Sequence, residues 1–398
     1  MKKTILLFLS LLCITFSCEK INEDPISEET FTDDVSLSLD SRATSEGGPS
    51  SGNNNSGNKG QTGLVTAAEW NDLNNWNFWN DLLNKQVFAK MQDYWSIYTN
   101  NRIAVSLENN GVPIVDATVE LLRNNTVIWT TKTDNLGFAE LLVSPYQKEE
   151  NLDLTLFRLR VNGSAISQNV KLYNDGINTI NYTTNASNLN AVDISFIVDA
   201  TGSMQDELDF LKADLQNVIE KVANKNSSLA ISTSCVFYRD KEDTYISKKI
   251  EFTTSLDKTI AFIGKQNASG GGDFPEAVHI ALEVAINDLQ WSTNAKTRIA
   301  FLLLDAPPHY EKSVIQNIQK NLKKASEKGI KLIPITASGI DKETEFLMRK
   351  MAILTNGTYI FITNDSGIGN NHLEASVGEY QVEKLNDLLV RLIQKYSN

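Results

Sequence analysis

Apolar positions change their spacing along the chain, and each change predicts a different element. Over residues 64–98, read from "TAAEWNDLNNWNFWNDLLNKQVFAKMQDYWSIY", Trp76, Trp79, Leu83, Val87 and Met91 recur every three or four residues, and Trp70, Phe78, Leu82, Phe88 and Trp95 widen the stripe. That spacing predicts an aromatic-rich helix. Its rings would either form an exposed platform suited to a glycan or pack on a neighbouring domain, and packing is the reading taken. Over 99–187 the period falls to two: "RIAVSLENNGVPIVDATVELLRNNTVIWTTKTDNLGFAELLV" alternates and is cut by Asn-Gly and Asn-Leu-Gly turns. Short Val-rich strands so punctuated predict a small all-β sandwich.

From 188 to 398 strand and helix patterns alternate. The strands predicted are 191–198, 229–239, 248–253, 298–304, 331–336 and 358–362, and the helices 204–224, 256–266, 275–289, 312–328, 342–355 and 381–396. Runs such as "RIAFLLL" are apolar throughout, as strands covered on both faces must be. The fold class expected is therefore α/β, a doubly wound, mostly parallel sheet, preceded by the sandwich and the aromatic helix.

The amino-terminal segment adds a compartment. "MKKTILLFLSLLCITFSC" has two lysines, an apolar stretch and a small-residue exit, which is the grammar of an export signal over 1–18. It resembles a bacterial lipoprotein signal. That resemblance implies lipidation, such as palmitate, at Cys18, and attachment to the outer membrane, with the acidic residues that follow pointing to the cell surface. Residues 19–63 are acidic and then Gly/Ser/Asn-rich, a disordered tether. With Cys13 in the signal and Cys18 at its exit, Cys235 alone remains and is read as a buried, inert thiol. A net charge of -12 argues against nucleic-acid binding, which needs a basic footprint.

The chemistry sits where two predicted strands end in acids. "ISFIVD" ends at Asp199 and "FLLLD" at Asp305. Ligands of open α/β sheets lie outside the carboxyl ends of the strands, so neighbouring strands would bring both carboxylates to one crevice. Like charges buried there repel, and a divalent cation resolves the repulsion. Thr201 and Ser203 add hydroxyl oxygens on the same side as Asp199. Hard oxygen donors suit Mg²⁺, and Ca²⁺ or Mn²⁺ also fit. In "SGGGDFPEAV" (269–278) three glycines allow close backbone approach, and Asp273 then points either at the ion or at the start of its own helix, with Pro275 at the first helical position. Glu276 and His309 are candidates for the rim, Asp365 and His372 for a loop nearby, and Arg239 with Asp240 for a structural ion pair.

These residues resemble the von Willebrand factor type A domain and its metal-ion-dependent adhesion site. The family's Asp-x-Ser-x-Ser motif stands here as Asp199-Ala-Thr201-Gly-Ser203, its later acid as Asp305, and "DATGSM" with "GGGDFPE" is similar to hemicentin-type domains. The family's loop threonine is replaced by Asp273, and three acids around one divalent ion would recruit an acidic partner poorly. "NGVPIVDATVEL" with "TKTDNLGFAEL" resembles carboxypeptidase-regulatory-like or Cna-B-like sandwiches, which implies a spacer or interaction module. The resemblance implies a non-enzymatic adhesive protein whose metal, at Asp199, Thr201, Ser203, Asp273 and Asp305, meets a protein or matrix-like partner. The alternatives are an envelope assembly subunit with a fold-stabilising metal, and an Mg²⁺-dependent hydrolase. No His-Glu-x-x-His motif supports the last.

Overall fold

A computed structural model of the chain describes residues 62–149, 151–184, 189–225, 228–368 and 371–398. The export signal with Cys18, and the tether up to residue 61, lie outside the described residues. In chain order, β1 (Thr66–Trp70) leads to helices α1 (Trp76–Leu83) and α2 (Gln86–Trp95). Then come β2 (Arg102–Asn109), β3 (Val112–Pro113), β4 (Thr118–Arg123), β5 (Thr126–Lys132), β6 (Phe138–Leu142), β7 (Phe157–Val161), β8 (Ser164–Ala165) and β9 (Asn178–Asn181). Alternation starts with β10 (Ala191–Asp199), α3 (Gln205–Lys225), β11 (Ala230–Tyr238), β12 (Ser247–Thr253), α4 (Leu256–Gly264) and α5 (Val278–Glu283). It continues through β13 (Thr297–Leu304), α6 (Lys312–Lys328), β14 (Ile330–Thr336), α7 (Lys342–Leu354), β15 (Tyr359–Ile362), β16 (Val382–Lys384) and α8 (Leu385–Ser397).

Among the described residues the large sheet has eight strands, in the order β12-β11-β10-β13-β14-β15-β1-β16. Strands β11, β10, β13, β14 and β15 run parallel, while β12 and β1 are antiparallel to their neighbours. The chain winds from β10 to β11 on one side and later returns to place β13 on the other side of β10. The switch in strand order thus lies between β10 and β13, where such sheets hold ligands. Every residue of β13 is buried. Its alternate side chains feed two cores. Ile299, Phe301 and Leu303 pack with Leu208, Leu211 and Leu215 of α3 and with α8, while Ala300, Leu302 and Leu304 face Val278 of α5, Val314 of α6 and Phe346 of α7. Cys235 is buried in the α3 core, and burial pushes its thiol up, away from reactivity.

The segment expected as one helix over 64–98 departs from that expectation. Residues Thr66–Trp70 form a strand between β15 and β16, and the helix is broken at Asn84, with Lys85 in extended geometry. Residues 382–384, expected as helix, are the strand that covers the far edge of β1. The α/β domain is thus assembled from both sides of the sandwich, which is an insertion between β1 and β10. The sandwich has two four-stranded sheets, β3-β2-β6 with β9 on β2, and β5-β4-β7-β8.

The aromatic stripe packs. Trp79 is fully buried and stacks on Phe346 at 4.8 Å, and the Trp95 indole donates to the Glu343 carbonyl at 2.9 Å. One continuous core runs from Trp129 and Phe157 of the sandwich through Trp79 to Leu322 and Met351 of the α/β domain. Polar pins cross the same seam. Arg298 grips Asp116 with two hydrogen bonds of 2.8 and 3.2 Å, and Ser326 donates to the Thr130 carbonyl at 3.0 Å. Arg349, wholly buried in α7, binds Asp72 through two nitrogens at 2.9 and 2.6 Å, and Glu345 lies 3.3 Å from a third. Removing one partner of such a pair strands a charge in the core. Asp72→Ala is expected to destabilise the protein by about 3 kcal/mol, the low end of the usual range because Glu345 remains. Asp72→Leu combined with Arg349→Met is expected to lose less. Chemical denaturation checks this, and a double variant weaker than the single would contradict it.

Candidate functional site

β10 ends at Asp199, and the loop beyond it folds back on that carboxylate. The Thr201 backbone N–H and hydroxyl both donate to Asp199 Oδ1, at 2.9 and 2.7 Å. Thr201 Oγ1 lies 3.1 Å from Ser203 Oγ. Asp199 and Thr201 are fully buried, and Ser203 is exposed at the mouth. Asp305 follows β13 directly and is buried beside them. Register pairs Val198 with Leu303, so the two acid-bearing strand ends are neighbours, as expected. Burial, and then the facing charge of Asp305, raise the Asp199 carboxyl to about 7. Burial raises Asp305 to about 6 against the opposing pull of the Ser203 hydroxyl, with Glu207 adding to the rise. Asp199 Oδ2 and Asp305 Oδ1 are buried and have no hydrogen-bond partner among the described residues. The arrangement therefore leaves two buried carboxylate oxygens without a hydrogen bond of good geometry, next to two hydroxyls, with the Tyr238 hydroxyl also acting on Asp199.

The Gly loop closes over this point. Ser269 N–H donates to the Ala200 carbonyl and Gly202 N–H to the Gly270 carbonyl, each at 3.0 Å, which zips the two loops together. Gly270 and Gly271 take φ of +86° and +73°. A Cβ on Gly270 would stand 2.0 Å from Asp243 Oδ1, and one on Gly271 would stand 2.8 Å from Glu276 Oε1 and 3.4 Å from Thr201 Cβ. Close approach is thus the reason for glycine at both positions. Asp273 is exposed on the loop, whereas the acid expected at the rim, Glu276, is buried. Nor does Asp273 cap the helix. α5 begins only at Val278 after Ala277, without a side-chain cap, so Pro275 precedes the helix rather than opening it. Glu276 N–H bonds the Pro307 carbonyl at 2.8 Å and bridges Pro308, which fixes it beside the loop that carries Asp305. Burial first, then Asp199, Asp240, Asp305 and Asp243, raise its carboxyl to about 9.

The family called von Willebrand factor A domain matches residues 193–367. That stretch is a von Willebrand factor A domain. An ariadne-like RING finger protein of Acanthamoeba polyphaga mimivirus is 31% identical over 131 residues, which are 33% of this chain and 12% of that protein. The alpha-protein kinase vwkA of Dictyostelium discoideum is 32% identical over 119 residues, 30% of this chain and 19% of that protein. The chain thus spans less than a fifth of either relative's length.

Around the crevice of the von Willebrand domain the polar side chains take partners that sequence did not foresee. His309 is buried, and its Nε2 lies 2.6 Å from Asp240 Oδ1, so it braces the second strand's exit rather than joining Asp305. Arg239 forms no pair with Asp240. Its guanidinium donates to the carbonyls of Ala200 at 3.1 Å and Asn267 at 2.8 Å, which clamps the loop after β10. The His372 ring comes within 3.3 Å of Glu207 Oε1, while Asp365 is exposed. Glu207, Tyr238 and Asp243 went unnoticed in the sequence. Tyr238 stands opposite Asp199 in the β10–β11 register, and Glu207 lies one helical turn beyond Ser203. Among the described residues no three His, Cys, Asp or Glu side chains gather as a cage, so the donor set is mixed, carboxylate with hydroxyl.

The raised carboxyls give a pH signature. Unfolded Asp and Glu ionise near pH 4, whereas the folded groups ionise near about 6, 7 and 9. Between those limits the folded state holds protons that the unfolded state has released, so this stability is present at low pH and lost as pH rises. Melting temperatures measured in EDTA are expected to decline from about pH 5 to about pH 8, less steeply in Asp199→Asn. Equal slopes in the two proteins would contradict the assignment.

Proposed function

We propose that the von Willebrand domain is a cation-dependent binding module for a protein partner, not an enzyme. The observation that carries this is the pair of unanswered, buried oxygens on Asp199 and Asp305 beside the Thr201 and Ser203 hydroxyls. Two ionised carboxylates in that setting are costly unless a cation answers them. Asp199, Thr201, Ser203 and Asp305 would hold the ion, and hard oxygens of this kind suit Mg²⁺, with Ca²⁺ or Mn²⁺ also accommodated. When bound, the ion would offer a coordination position to an oxygen of the partner. Domains of this family serve protein–protein interaction, which supports the same reading. The kinase and RING functions in the relatives' names are not carried over, because the matched stretch is a small part of each.

The buried position of the carboxylates supports a second reading, a cation that steadies the fold of an envelope assembly subunit. Mg²⁺ at one hundred times its dissociation constant is expected to stabilise the wild type by about 2.7 kcal/mol. Asp199→Ala is expected to abolish that shift in a thermal melt, and a shift that survives would remove the site. Pull-down from the native envelope with and without EDTA separates the two readings. Loss of a partner in EDTA supports adhesion, and a lowered melting temperature with the partner retained supports the structural role. We further propose that Cys18 carries a lipid that anchors the chain to the outer membrane. Cys18→Ala is then expected to move the protein from the membrane to the soluble fraction, and an unchanged distribution would reject the anchor.

A further inference from the structure

One buried acid of the crevice has no task in the reading above. Glu276 is 2% exposed, its Oε2 has no hydrogen-bond partner among the described residues, and its backbone is pinned to the loop that carries Asp305. Its Oε1 occupies the space that a Cβ on Gly271 would need, and the Thr201 side chain borders that same space. The carboxyl is therefore lodged between the Gly loop and the residue that grips Asp199. A group that merely filled this space would not need a carboxyl, and a buried polar oxygen without a partner is costly.

We propose that Glu276 is the chain's own third carboxylate for the cation, closing the site from the side of the Gly loop. This rests on the cation reading of the preceding section. Asp199, Asp305 and the two hydroxyls leave a hard divalent ion short of the six or more oxygens it takes. At rest the three carboxylates do not gather as a cage, so Glu276 would supply another oxygen by turning its side chain from beside Gly271 toward Asp199 and Asp305. Asp273, exposed on the same loop, has no part in holding the ion. A loaded site then already contains the acid that a partner would otherwise bring, and a partner's Asp or Glu gains nothing there.

The test is calorimetric titration of Mg²⁺ and of Mn²⁺ into the full chain. Glu276→Gln keeps the shape and hydrogen-bonding capacity and removes the charge. It is expected to keep the circular dichroism of wild type and to bind either ion roughly tenfold or more weakly. Glu276→Ala is expected to bind as weakly and to recover in acetate relative to chloride, because the small carboxylate enters the emptied space. Wild type is expected to be insensitive to acetate, and Asp273→Asn to bind like wild type. Glu276→Gln binding either ion as tightly as wild type would overturn the proposal and leave the cation reading intact. So would a loss on Asp273→Asn as large as that on Glu276→Gln. Wild type that binds neither ion would sink the cation reading itself, and the proposal with it.

Discussion

Two acids placed at the carboxyl ends of adjacent parallel strands set the conditions under which the rest of the α/β domain folds. Strand order brings Asp199 and Asp305 to the same crevice, and burial sharpens their mutual repulsion. Much of the nearby structure answers that load. Thr201 gives Asp199 two hydrogen bonds, Ser203 faces Asp305, and Arg239 joins the loop after β10 to the Gly loop through the carbonyls of Ala200 and Asn267. The Gly loop then seals the side of the crevice with backbone that no larger residue would allow. Preorganised oxygens of this kind lower the ordering that a bound ligand would require.

The support beneath the crevice is less local. α7 is enclosed along nearly its whole length, with Arg349 and Lys350 both buried among aromatic rings. The aromatic residues before the sandwich provide that enclosure, and the sandwich shares their core. A seam of this size, apolar at its centre and fixed by Arg298 and Asp116 at one end, makes the inserted domain part of the scaffold rather than a loosely hung module.

Much of this was legible in the sequence. Parallel strands covered on both faces read as apolar runs, so the parallel strands of the α/β half stand out, and the acids that end two of them, Asp199 and Asp305, stand out with them. β1 was not legible, because "TAAEW" is short, has alanine at two of its five positions, and is followed at once by a strong helical stripe; its strand character comes from partners nearly three hundred residues away. The exchange of Asp273 for Glu276 as the inward acid was hidden for another reason. Two successive left-handed glycines turn the loop, and a pattern of residue types does not say by how much. The pairing of His309 with Asp240, and Arg239's preference for carbonyls, likewise depend on loops that meet only in three dimensions.

The position of β1 carries a consequence for how the chain reaches its native state. Among the described residues it is the first strand in sequence and pairs only with the last two, β15 and β16. Loop closure over that span comes late and slowly, since distant contacts are reached only after their entropy of closure is met. A ribosome that has released the chain only as far as β14 has therefore delivered a sheet with its sixth to eighth places empty, and the domain becomes whole only when β15 and β16 arrive.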